Sequence, residues 1–192
     1  MANINEFAYA LNSSARPNQF KISITFPSIV SGGQDAMRAG TYLVKAGTIP
    51  EVTIEDVQVF YRGRQYHEAG EKTFQPWTCT IYNAGDFKIR KALEDWMNQI
   101  QNSETTAGIT SPQVYKSEIK VEHLDRNGQV IAGYKLIGAF PSQLGPIQLD
   151  FESGNQLEMF DCTFIYDYFI PDDSSTIGSV AETISSVINT FA

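Results

Sequence analysis

Cysteine, histidine and tryptophan each occur only twice in this 192-residue chain, and each scarcity excludes something. Cys79 and Cys162 lie far apart in apolar runs without a CxxC spacing, which argues for two buried thiols rather than a disulfide framework or a zinc site. His67 and His123 are isolated, with no second ligand at a metal-like spacing. Positive charge is also short: 14 Lys and Arg stand against 22 Asp and Glu, for a net charge of −8. A protein that grips nucleic acid by its phosphates needs clustered cations, and an acidic surface repels both DNA and anionic lipid. No apolar run approaches membrane-spanning length. No apolar signal region follows Met1, and the first basic residue is Arg16. The expectation is a soluble protein made in the cytoplasm, without a membrane anchor. Phosphate loops, GxSxG elbows, HExxH sequences and dinucleotide fingerprints are all missing, and so is any internal repeat.

What the chain does have is alternation. Phe20, Ile22, Ile24 and Phe26 alternate with Lys21, Ser23 and Thr25, the signature of a half-buried strand. Pro27 ends it. Residues 27–40, with three glycines and no clear period, read as a long loop, either an interaction loop or a floppy insertion. Thr41–Ala46 reads as a short strand. Glu51–Tyr61 is β-rich and turns back near Arg62-Gly63-Arg64, making a hairpin whose arms hold Val57, Val59, Tyr61, Tyr66 and His67. Apolar strands with little to cover them seek a partner. Phe74–Tyr82 reads as one strand, with Pro76 at its edge or start.

A helix over about 86–101 follows, capped by Asn83 or Asp86. Ile89, Leu93, Trp96, Met97 and Ile100 form its apolar stripe, and Lys88, Lys91, Glu94, Asp95 and Asn98 its charged back. Residues 102–113 are a surface loop. Ser117–Leu124 and Gln129–Phe140 form a hairpin about Asn127-Gly128. Pro141–Pro146 reads as a loop and Gln156–Ile170 as the longest strand, with Phe160, Cys162, Phe164, Tyr166 and Tyr168 on one face. At the ends, Ile4, Phe7, Ala8 and Leu11 suggest one weak helical turn or two, and Ile177, Val180, Ile184, Val187, Ile188 and Phe191 a second weak helix. The chain therefore divides into an arm (1–18), a mainly β domain with one flanking helix, an antiparallel sandwich or barrel (19–170), and a C-terminal extension (171–192).

The carboxylates Asp150, Glu152, Glu158, Asp161 and Asp167 are in principle a source of paired acids for glycoside hydrolysis. Solvent faces of strands and turns account for them more economically, so no catalytic, metal or cofactor residue is expected.

The order of several short motifs resembles a known family. Ala15-Arg16-Pro17-Asn18-Gln19-Phe20 opens it. Gly47, Ile49-Pro50, Tyr61, Gly70, Thr73-Phe74, Trp77-Thr78 and Ile81-Tyr82-Asn83 follow, then a helix with Asp95-Trp96. Gly138, Phe140-Pro141, Leu144-Gly145, Leu149-Asp150-Phe151, Asn155, Phe160-Asp161, Phe164 and Tyr166-Asp167-Tyr168 close it. Over roughly residues 15–169 this resembles the tail tube proteins of contractile-tailed bacteriophages. The resemblance implies a structural virion protein, without cofactor, whose copies form hexameric rings stacked into a hollow tube inside a contractile sheath. Baseplate and tape measure proteins are its implied further partners, and genomic DNA passes through the lumen without specific binding. Val59, Tyr61, Arg62, Arg64 and Tyr66, with Met37 and Arg38, are then candidate assembly contacts, and Lys88, Lys91, Glu94 and Asp95 candidate sheath-facing residues. Alternatives are a tube initiator at the baseplate, the tube of a secretion or extracellular contractile injection system, and a β-barrel enzyme or ligand-binding protein.

Overall fold

Alternating apolar residues build most of the fold. In the computed structural model, which describes residues 3–11, 15–152 and 154–172, nine strands and four helices occur in the order α1 (Ile4–Leu11), β1 (Phe20–Ile24), α2 (Gly33–Leu43), β2 (Val44–Gly47), β3 (Val52–Tyr61), β4 (Arg64–Phe74), β5 (Trp77–Tyr82), α3 (Lys88–Ile100), α4 (Pro112–Tyr115), β6 (Ser117–Leu124), β7 (Val130–Leu144), β8 (Met159–Ile165) and β9 (Tyr168–Pro171). The expected extension lies, from residue 173 on, outside the described residues.

One antiparallel sheet runs β1-β6-β7-β8-β5-β2, with β9 also on β7. Its curvature comes from β7, whose first part pairs with β6 and β9 and whose last part pairs with β8. Gly138 sits at the bend with φ +71°, a conformation open to glycine at little cost. Opposite it, the Asp167 N–H bonds the Ile137 carbonyl at 2.9 Å. The curved sheet encloses Ile22, Ile24, Trp77, Cys79, Ile81, Ile119, Leu136, Phe160, Cys162 and Phe164. Helix α3 closes one flank with Ile89, Ala92, Leu93 and Trp96. Trp96 lies 5.5 Å from the Phe26 ring and 6.3 Å from that of Phe164, centre to centre. Its indole N–H donates to the Tyr115 carbonyl at 2.8 Å.

Several expectations need correction. Residues 27–40 are no plain loop, because α2 occupies much of them. Its period is written in small residues: Gly33, Ala36 and Gly40 face inward. A Cβ on Gly33 would stand 2.8 Å from that of Phe26, so close approach to the core selects glycine at that position. The strand expected at 41–46 begins only at Val44. Helix α3 spans 88–100, and neither expected cap closes it in the usual way: Phe87 is the N-cap, with φ +55°. Asp86 accepts the Lys88 N–H at 3.2 Å, while Asn83 donates to Glu158 instead. Phe74 belongs to β4, and Pro76 separates it from β5 rather than starting a joint strand. Pro141–Leu144 continues β7 and is not a loop. The expected run 156–170 is two strands, and β7 is longer than either. Because the chain bends at Tyr166-Asp167, Tyr168 is exposed rather than sharing the face of Phe164. Phe169 takes the inner side, packed 5.6 Å from Phe74 and 5.9 Å from Tyr134, ring centre to ring centre.

Cys79 and Cys162 are direct neighbours across β5 and β8, buried and free. Burial, and secondarily the charge of Asp161, pushes the Cys79 thiol up to about 12, and burial raises Cys162 likewise. Since the thiolate is the nucleophile, neither thiol is expected to react with a disulfide reagent at pH 8 until the protein is unfolded. A colorimetric thiol count in buffer and in denaturant reads this directly.

Candidate assembly surfaces

The hairpin β3–β4 stands apart from the main sheet. Its turn is made by Arg62 (φ +48°) and Gly63 (φ +79°). Positive φ at both central residues matches the twist of the flanking strands. Every residue of β3 is exposed. The register pairs Val59 with Tyr66, Val57 with Glu68 and Tyr61 with Arg64 on one face, and Gln58 with His67 and Phe60 with Gln65 on the other. From Ile54 to Asp56 the register steps two residues on β3 against three on β4, from Lys72 to Ala69, so the bulge lies on β4 and Val52 and Ile54 share the second face. Within the bulge is Gly70, where a Cβ would meet the Glu55 carbonyl at 2.9 Å. One face carries Val57, Val59, Tyr61 and Tyr66 towards the tip. The other carries Asp56, Gln58, Gln65 and His67 with Phe60, and continues through Ile54 and Val52 into the core at Phe74. Across it Asp56 accepts from Gln58 at 3.0 Å and meets His67 Nδ1 at 2.8 Å. The bond to His67 holds the Asp56 carboxyl below the usual range. An isolated hairpin of this kind is marginal in water, so this one needs cover.

The other expected contact residues divide. Arg62 and Arg64 are exposed at the hairpin tip, where the Arg62 guanidinium lies 5.3 Å from the Tyr61 ring centre. Arg38 is exposed on α2, but Met37 is packed against the core. On α3, Lys88, Lys91 and Glu94 are exposed; Lys88 pairs with Asp86 and Glu94 with Arg90. Asp95 is only half-exposed and accepts the Ser31 N–H at 2.7 Å, so it holds the lead-in to α2. Glu94 and Asp95 line a shallow hollow of about 780 Å³ between α3 and Phe140–Ser142.

One exposed segment was not among the expected surface residues. Between β7 and β8, Leu149, Phe151 and Leu157 project into solvent, Phe151 fully. The cue was available: three large apolar residues inside a turn-rich stretch that forms neither strand nor helix.

The acidic residues that suggested paired acids are occupied separately. Asp161 accepts from Thr80, Glu158 from Asn83 and Asp167 from Lys116, and Asp150 accepts the Glu152 N–H. Among the described residues no group of three or more His, Cys, Asp or Glu could hold a metal. No described helix is long and apolar enough to cross a membrane.

Among the described residues, β3 is exposed along its whole length. The family model for phage tail tube protein matches residues 15–171. The chain belongs to that family. It is 29% identical over 165 residues to the tail tube protein gp19 of Enterobacteria phage T4, which covers 84% of this chain and 94% of that one. It is 27% identical over 177 residues to the tail tube protein of Serratia phage KSP90, covering 91% and 99%. Among solved structures, a chain of the PVC sheath-tube complex of an extracellular contractile injection system superposes with a TM-score of 0.61 at 15% identity, over 90% of this chain and 99% of that one. The family places this tail tube protein in the virion with a structural role.

Proposed function

We propose that copies of this tail tube protein close into hexameric rings through the β3–β4 hairpin, and that stacked rings form the tail tube. The observation that supports this most is the hairpin itself: two strands of 10 and 11 residues whose apolar side chains Val57, Val59, Tyr61 and Tyr66 are exposed among the described residues. In a ring, Val57, Val59, Tyr61 and Tyr66 pack against the neighbouring copy, and the strand edges find hydrogen-bond partners there. The more polar face, with Asp56, Gln58 and His67, then lines the lumen. Its carboxylates repel DNA phosphates near the wall, within a screening length of about 8–10 Å, so DNA passes without binding. The exposed back of α3 (Lys88, Lys91, Glu94) turns outward to the sheath. Baseplate and tape measure proteins meet the tube at its end and in its lumen, and the segment after residue 171 is an extension of the tube domain.

Electron microscopy of the purified protein, alone and with its sheath protein, tests the proposal. Rings and open tubes of constant diameter are expected. Monodisperse monomers at every concentration and with every tail partner would sink it.

A further inference from the structure

The main sheet does not close on itself, since β1 and β2 are its two edges. At one end of the gap between them lies a cavity of about 330 Å³, lined mainly by Pro17, Phe20, Ile22, Ile49, Val121 and Tyr134. Glu122 also lines it. Its carboxylate is met by Lys120 at 2.8 Å and Lys21 at 3.9 Å, so an apolar plug would bury no unpaired charge there. The cavity has room for an aromatic ring with one aliphatic neighbour.

The loop with Leu149, Phe151 and Leu157 has the complementary character. It is apolar at its tip and acidic at Asp150, Glu152 and Glu158. It also lies at the other end of the molecule, as β5 makes clear. At the first residue of β5, the Trp77 indole N–H bonds the carbonyl of Thr48 in the cavity wall, at 2.7 Å. Just beyond its last residue, the Asn83 N–H bonds the Glu158 carbonyl at the root of the loop, at 2.9 Å. The two features are separated by the length of the strand, about 17–20 Å at the strand rise of ~3.3 Å per residue. One chain thus has a plug at one end and a matching socket at the other. A contact between unlike patches of identical subunits repeats head to tail, generating a ring where the rotation closes and an open filament where it does not.

We infer that Phe151 and Leu149 of one copy insert into the Pro17/Ile49/Tyr134 socket of the copy stacked on it, and that this contact sets the join between rings. The inference rests on the tube reading above and adds to it which surfaces stack.

The test is a double variant, Ile49→Cys with Phe151→Cys, assembled into tubes and oxidised with diamide. The native thiols are buried and do not compete. The expected result on a non-reducing gel is a ladder running past six subunits, because each copy links one above and one below. The single variant Phe151→Ser is expected to yield rings that no longer stack, at least a tenfold loss of tube length by microscopy. Tubes that form but give no ladder overturn the inference and leave the tube reading intact. A ladder that stops at six places the loop against its neighbour within a ring and equally overturns it. So does a chain truncated after Asp172 being needed before cross-links appear, since the socket then holds the chain's own C-terminal segment. Wild-type protein that makes no tubes at all refutes the tube reading instead.

Discussion

Replacing both Val59 and Tyr66 by lysine is expected to leave a folded monomer that makes no rings. The two residues are cross-strand partners on the apolar face of the hairpin, and both are exposed in the single chain. Surface changes of this sort alter monomer stability by roughly 0.5 kcal/mol or less each. In a ring the same positions are covered. Each lysine then loses the burial of an apolar side chain, worth about 1.5–3 kcal/mol, and costs several kcal/mol more for a buried unpaired ammonium. Every 1.4 kcal/mol is tenfold in affinity, so the seam weakens by several orders of magnitude, and a ring needs every seam. The control is on the opposite face: Gln58→Lys with Gln65→Lys is expected to keep rings and make the lumen less acidic. Sedimentation velocity and negative-stain microscopy separate the outcomes. Rings from the first variant and monomers from the second would invert the assignment of the two faces.

How much of this was legible in the sequence depended on how the chain writes its periods. The hairpin was plain because Arg62-Gly63 marks its turn and β-branched residues fill its arms. Helix α3 was plain because large side chains (Ile89, Leu93, Trp96) write its stripe. Helix α2 was hidden because its inward positions are Gly33, Ala36 and Gly40, small residues that write no large apolar stripe, two of them glycines that lower helix propensity. At Gly33 the Phe26 side chain comes too close for anything larger. The break between β8 and β9 was hidden for another reason. Alternation continues from Phe160 through Tyr168, and only the long-range bond from Asp167 to Ile137 switches the inward side. The extended course of β7 through Pro141 could not be read from a residue type that usually ends strands.

The exposure of the candidate residues was legible in the same uneven way. The hairpin tip and the outer side of α3 could be named because charge or aromatic character marks an exposed position. Met37 and Asp95 looked equally free, yet one packs on the core and the other anchors Ser31. Both attachments depend on α2, the element the sequence concealed. The Phe151 loop was overlooked because apolar residues in a turn-rich stretch have no period. Their meaning appears only when the opposite end of the sheet is seen to hold a cavity.

The largest effect on the single chain is expected from Trp96→Ala. The indole is fully buried between Phe26 and Phe164, where it joins helix to sheet. Removing a ring from such a site costs about 3–5 kcal/mol, transfer and cavity together, and the Tyr115 carbonyl loses its donor. Against a typical total of about 5–15 kcal/mol, that is a large share. At about 2–4 °C per kcal/mol for a chain of this size, the midpoint of thermal unfolding should fall by roughly 6–20 °C. Trp96→Phe keeps a ring against Phe26 and Phe164 but not the bond to Tyr115, and should recover more than half of the loss. The measurement belongs on dilute monomer, because assembly adds stability by mass action. The ring-blocking hairpin variant supplies that background. Equal midpoints for Trp96→Ala and its parent would mean that α3 does not seal the flank of the sheet. The outward side of that helix would then lose its claim as a fixed platform for the sheath.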